Sequence, residues 1–126
     1  MTDPFWLDLA DIVAVHDRQL AEHGGGSGVR DITLLESALA RPVNVWNYEQ
    51  GDPAALAAAY AFGIARNHPF VDGNKRSAWV AARLFLSING HGLAFDKEDA
   101  TQTMLALAAG EISEDELAGW FRARIA

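Results

Sequence analysis

Leu56, Tyr60 and Ile64 recur at i, i+4 and i+8 in an alanine-rich run, which places one apolar stripe along a helix. Asp52 followed by Pro53 supplies its start, a capping side chain and then a proline in the first turn, and the pattern predicts an end near Asn67. After Gly73 the run NKRSAWVAARLFLSING sets Ala78, Ala81, Ala82, Phe85 and Leu86 at helical spacing, with Asn89-Gly90 as the stop. Trp79, Val80, Leu84 and Ile88 add apolar residues on the remaining sides, so this second run predicts a central, largely buried helix.

Start and stop signals divide the rest of the chain. Thr2 or Asp3 before Pro4 opens a first helix that runs to the flexible GGGSG at Gly24 to Gly28. TLLE, Thr33 to Glu36, has capping-box spacing and opens a short helix that stops before Pro42. DKED, Asp96 to Asp99, begins another that ends near Gly110, and SEDE, Ser113 to Glu116, caps a last helix holding Leu117, Trp120 and Phe121. The connection RPVNVWNYEQGDP, Arg41 to Pro53, alternates Val43, Val45 and Trp46 or Tyr48 with polar residues, which predicts a short extended arm or hairpin. Its aromatics either anchor a partner or fold back onto the core, and the second is favoured. Six helices and no convincing strand make an all-α helical bundle around a central buried helix, without internal repeats.

With 126 residues, half of them hydrophobic, the chain is expected to form a single domain over residues 1–126 with a core of its own. It has no cysteine, which excludes disulfides and thiolate chemistry and fits a reducing cytoplasm. No export signal and no membrane span are expected, because the first residues are acidic and the apolar runs are short. A net charge of −7 argues against direct nucleic-acid or anionic-membrane binding. The charge is uneven, however: Arg66, Lys75, Arg76 and Arg83 face a single acid, Asp72, within that segment. A positive island in an acidic protein suits a small anion.

The island holds HPFVDGNKR, His68 to Arg76. A loop that feeds directly into a helix presents unpaired N–H groups and the positive end of the helix dipole. Gly73 permits close approach, and Asn74, Lys75 and Arg76 add an amide and two cations, so polyphosphate is the matching ligand. Asp72 beside a phosphate calls for a divalent cation between them, and Mg²⁺ is commonly held by one carboxylate plus substrate phosphates. His68 can accept the proton of an attacking hydroxyl, histidine being the side-chain type that changes charge near neutral pH. Pro69 stiffens the loop and a buried Phe70 would anchor it. Singly, each residue has a structural role to play: His-Pro ends a helix, Asp-Gly turns, and Asn-Lys-Arg forms a solvated first turn. Together they point to phosphoryl or nucleotidyl transfer, in which positioning and charge neutralisation dominate.

HPFVDGNKR resembles the signature of the Fic/Doc family, and its NKR ending is similar to that of the Doc (death-on-curing) branch, where lysine stands in place of the second glycine of HPFxxGNGR. HDRQLAEHGGGSGVRDITLLESALARP, His16 to Pro42, is similar to the N-terminal part of Doc-type chains, so the resemblance covers nearly the whole sequence. It implies a compact Fic/Doc-like bundle and a toxin of a toxin–antitoxin system. Its activity would be that of an ATP-dependent kinase for a threonine of translation elongation factor Tu, restrained by a Phd-like antitoxin. The alternatives are transfer of AMP from ATP to a protein hydroxyl, as in Fic enzymes, and a non-catalytic nucleotide- or partner-binding member. By matching positions, His68 is the base, Asp72 the Mg²⁺ ligand, and Gly73, Asn74, Lys75 and Arg76 hold the ATP phosphates. Fic enzymes commonly carry a further arginine where this chain has Trp79; that departure and Lys75 both favour the kinase.

Other signals are weaker. GGGSGVRD lacks the Gly-Lys-Ser/Thr ending of a phosphate loop and follows a helix, so it is expected to be a connector. His16-Asp17, inside an amphipathic helix and without a ligand set, is expected to be a helix-face or supporting pair. Arg30-Asp31 either orients the next helix or contacts the HPFVDG loop. Arg83 is expected to pair with a surface carboxylate rather than reach the site.

Overall fold

The structure, a computed structural model, describes residues 3–126. Six helices follow one another: α1 (Leu9–His23), α2 (Ile32–Glu49), α3 (Pro53–Asn67), α4 (Asn74–Ile88), α5 (Lys97–Ala108) and α6 (Glu114–Arg124). Extended pairing among the described residues is limited to two antiparallel bridges, Val29 with Phe70 and Leu93 with Ile125. The all-α fold is as expected. No helix among the described residues is long and apolar enough to cross a membrane.

The central helix is α3 rather than α4. It packs on α2, α4, α5 and α6, and Ala54, Ala57, Ala58, Ala59, Ala61 and Ala65 are all buried along it. Small side chains let neighbouring backbones come close on several sides, while Leu56, Tyr60 and Ile64 fill the remaining space. A Cβ at Gly63 would lie 3.0 Å from the Ala38 Cα of α2, a tight approach that favours glycine at that crossing. Helix α4 buries one face, Ser77, Ala78, Ala81, Ala82, Phe85 and Leu86, and leaves Ile88 exposed.

Three expected boundaries fail: α2 starts at Ile32 under an Asp31 cap rather than at the Thr33 box, because the Asp31 carboxylate accepts from the Leu34 N–H, and the other two fail through contacts distant in sequence. Helix α1 begins at Leu9, not at Pro4; the proposed cap Thr2 lies outside the described residues. The segment before it stays extended because Tyr60 Oη accepts from the Leu7 N–H at 2.9 Å and Asn89 exchanges two hydrogen bonds with the Phe5 backbone. Asp8 and Asp11 then form a reciprocal capping box. Burial pushes the Tyr60 hydroxyl up to about 12, so it serves as a neutral partner.

Helix α2 does not stop before Pro42 but runs through it to Glu49, and the expected arm does not form. Leu35, Ala38, Pro42 and Val45 make one buried helical stripe. Burying it against α3 outweighs the roughly 3 kcal/mol that an interior proline costs. Trp46 folds onto the core and Tyr48 points to solvent. The caps Asp52, Asp96 and Ser113 stand where expected. Asp52 also receives two bonds from Arg122, at 2.7 and 2.9 Å, tying α3 to α6.

Candidate active site

Helix α3 ends on His68, whose φ of 49° and ψ of 55° put it in the left-handed region, while its side chain is exposed. Only five residues separate it from the start of α4 at Asn74, so His68 and the α4 N-terminus bracket a loop with little freedom. Phe70, only 1% exposed, is buried in the core cluster beneath that loop. Its ring lies face to face on the buried His16 imidazole, centroids 3.8 Å apart. Asn74 closes the loop: its Oδ1 accepts from the Phe70 N–H at 3.0 Å and its Nδ2 donates to the Phe70 carbonyl at 3.1 Å. The Asn74 side chain is thus a clasp, and its main-chain N–H is the part left for an anion.

Gly73 precedes α4 with φ 74°, and no side chain caps the helix, so the N–H groups of Asn74, Lys75 and Arg76 face outward unpaired. The Lys75 and Arg76 side chains are exposed, and neither has a carboxylate within ion-pair distance among the described residues. Asp72 lies on the loop between His68 and the α4 N-terminus. Its Oδ1 accepts from the Gly73 N–H at 2.8 Å and its carbonyl accepts from His16 Nε2 at 2.8 Å. A carbonyl only accepts, so Nε2 is the protonated nitrogen of His16.

Among the described residues, no donor bonds Asp72 Oδ2. No group of three or more acidic or histidine side chains among the described residues could cage a metal. One free carboxylate oxygen beside an anion cradle fits Mg²⁺ held jointly with phosphates, and does not fit a dedicated protein site.

The loop joining α1 to α2 does more than connect. A Cβ at Gly25 would come 2.6 Å from Asp72 Oδ2, and one at Gly26 would come 2.9 Å from Val71 Cγ1, so these glycines form a close wall along the loop. The Val71 N–H donates to the Gly28 carbonyl at 3.1 Å. Arg30 and Asp31 take both roles open to them. Asp31 caps α2 through the Leu34 N–H, and Arg30 donates to the carbonyls of His68 and Asn67 at 2.7 and 3.0 Å.

A model of the Fic/DOC family matches residues 6–86, a stretch that contains α1 to α3, all but the last two residues of α4 and both loops of the site. The chain belongs to the Fic/DOC family. Two relatives put it on the Doc side: a protein named Toxin Doc from Mycolicibacterium smegmatis is 43% identical over 117 residues, covering 90% of this chain and 88% of its own. A protein named Protein kinase doc from Escherichia phage P1 is 34% identical over 113 residues, covering 89% of each.

Within this Fic/DOC chain, two positions past the motif are committed to packing. Trp79 meets Phe95, Trp120 and Phe121 with centroids 5.1 to 6.2 Å apart. Arg83 does not pair with a carboxylate as expected; its guanidinium lies over the rings of Trp79 and Phe95, at 5.5 and 4.9 Å. Those faces supply a cation–π attraction at no cost in carboxylate desolvation. Of the two roles expected for His16, helix face or support, the structure gives it the second, with partners in Asp72 and Phe70 that the sequence did not name. The available signal was its register with Ile12, Val15 and Gln19, because a polar ring on a buried stripe needs a partner.

Proposed function

We propose that this chain is a Doc-type toxin that transfers the γ-phosphoryl group of ATP to a protein hydroxyl, a threonine of elongation factor Tu. The observation that carries the reading is the short loop joining an exposed His68 to the uncapped α4 N-terminus with Lys75 and Arg76 unpaired. His68 accepts the proton of the target hydroxyl as its oxygen bonds to the γ-phosphorus. The bond from that phosphorus to the bridging oxygen breaks, and ADP leaves with the electron pair. Its charge is met by Lys75, Arg76 and the free N–H groups of α4 beside Gly73. Mg²⁺, when bound, supplies further charge neutralisation on the phosphates, and Asp72 would hold it. Asn74 and Phe70 keep the loop rigid while this happens.

Kinase rather than AMP transferase is favoured by Lys75 in the cradle and by Trp79, which is packed against α6 where the AMP-transferring branch has an arginine. The name of the phage P1 relative supports the same choice. A toxin of this kind calls for a Phd-like antitoxin, and a translation-factor substrate for a cytoplasmic location. The test is labelling of elongation factor Tu by the purified chain with Mg²⁺ and ATP. Label from the γ position alone supports the kinase. Label from the α position would make the chain an AMP transferase, and ATP binding without any transfer would make it a non-catalytic member.

A further inference from the structure

We propose that Arg30 is a positioning residue for His68. Three successive carbonyls of the loop that carries the histidine accept from this one residue. Arg30 Nη2 donates to Asn67 O at 3.0 Å, its Nε to His68 O at 2.7 Å, and its main-chain N–H to Pro69 O at 2.7 Å.

The need for such a grip follows from how α3 ends. The last carbonyls of a helix lose their intrahelical donors, and a cation there complements the negative end of the dipole. His68 is moreover one of two non-glycine residues with positive φ among the described residues, a conformation that persists where its surroundings hold it. The Arg30 fork meets both conditions at once. Among the described residues no carboxylate lies within ion-pair distance of Arg30, so the loop carbonyls are its partners. The grip is supported from behind: Asn67 Nδ2 donates to Leu34 O at 3.0 Å, and Asp31 caps the same first turn of α2. The direction of the His68 ring is thereby set from the α1–α2 loop, whereas the phosphate cradle belongs to α4. Losing Arg30 should therefore misdirect the base and leave the anion site in place. Lysine cannot replace the fork, since a single ammonium lacks the two fixed, parallel donors.

This inference rests on the kinase reading only for its activity measurement. Arg30→Ala and Arg30→Lys are compared with wild type in two experiments. In phosphoryl transfer, kcat should fall by about 100-fold for Arg30→Ala, the scale of a small misplacement of a reacting group, while KM for ATP stays within about twofold. Arg30→Lys should fall in between. Independently, the ring resonances of His68, assigned by their absence in His68→Gln, should shift or broaden in both variants while those of His16 hold still. Unmoved His68 resonances overturn the proposal, as does a loss carried by KM for ATP. Should Arg30→Ala fail to fold, Arg30→Lys decides by the same criteria. A wild-type chain silent in transfer would count against the kinase reading alone, because the His68 spectrum still answers for Arg30.

Discussion

His16 lies flat on Phe70, their planes 4° apart, and the same imidazole holds the Asp72 carbonyl through Nε2 at 2.8 Å. One buried side chain therefore fixes both the anchor of the loop and the residue proposed to hold the metal. Replacing His16 with Leu should destabilise the fold by about 2–4 kcal/mol, since it removes a hydrogen bond and a close ring contact. Urea unfolding measures this, and a midpoint equal to wild type would show that the stack contributes nothing.

His68 is exposed and, among the described residues, hydrogen-bonds through its main chain alone, so His68→Ala should retain the fold while transfer falls by about 10²–10⁴-fold, the span of a lost general base. His68→Gly should lose as much activity yet be more stable than the alanine variant by about 1 kcal/mol, because glycine adopts the left-handed conformation freely. Paired thermal melts test the order, and an alanine variant melting higher would argue against strain at this residue.

Gly25 combines φ 119° with a wall position against Asp72 Oδ2, whereas Gly24 has φ 75° and open space around a Cβ. Gly25→Ala should push the Asp72 carboxylate aside and raise the Mg²⁺ concentration needed for half-maximal transfer; Gly24→Ala should only lower stability. Magnesium titrations of the two variants check the contrast, which disappears if both behave alike.

The Asp52 carboxyl is held below its ordinary pKa, first by the bonds from Arg122 and also by the Ala55 N–H. A depressed folded-state value means that its contribution is full above the unfolded value of about 3.9 and is lost as pH falls through the lower folded value. Asp52→Asn should therefore flatten the acid limb of stability below about pH 4. Near neutrality the change should be under about 1 kcal/mol, since the pair is half exposed and asparagine still caps α3. Unfolding curves from pH 2.5 to 7 (about that range) compare the two, and parallel acid limbs would exclude the ion pair as their cause.

Local signals in the chain were legible because their physics is local. The caps Asp52, Asp96 and Ser113 bond N–H groups three residues ahead, and Asn89-Gly90 ends α4 within its own turn. The HPFVDGNKR motif likewise lies on one loop and one helix start. The start of α2 was misread locally, Asp31 and not Thr33 being the cap, while the other two misread boundaries were decided elsewhere. Tyr60 and Asn89 keep residues 5–8 extended, and burial of Leu35, Ala38, Pro42 and Val45 overrides the stop that Pro42 signals. Burial on α3 also turned the apparent alternation after Arg41 into a helix.

By itself the sequence determined the helix count, most caps and the chemical kinds of group in the candidate site, since each depends on residues within about four positions. Only the tertiary structure decided what holds that site in shape. His16 reaches Asp72 across 56 positions and Arg30 reaches His68 across 38. No spacing rule predicts such pairings; they exist because α1 and α2 pack so that their connecting loop lies along the motif, where a buried carbonyl or a helix end must find a donor.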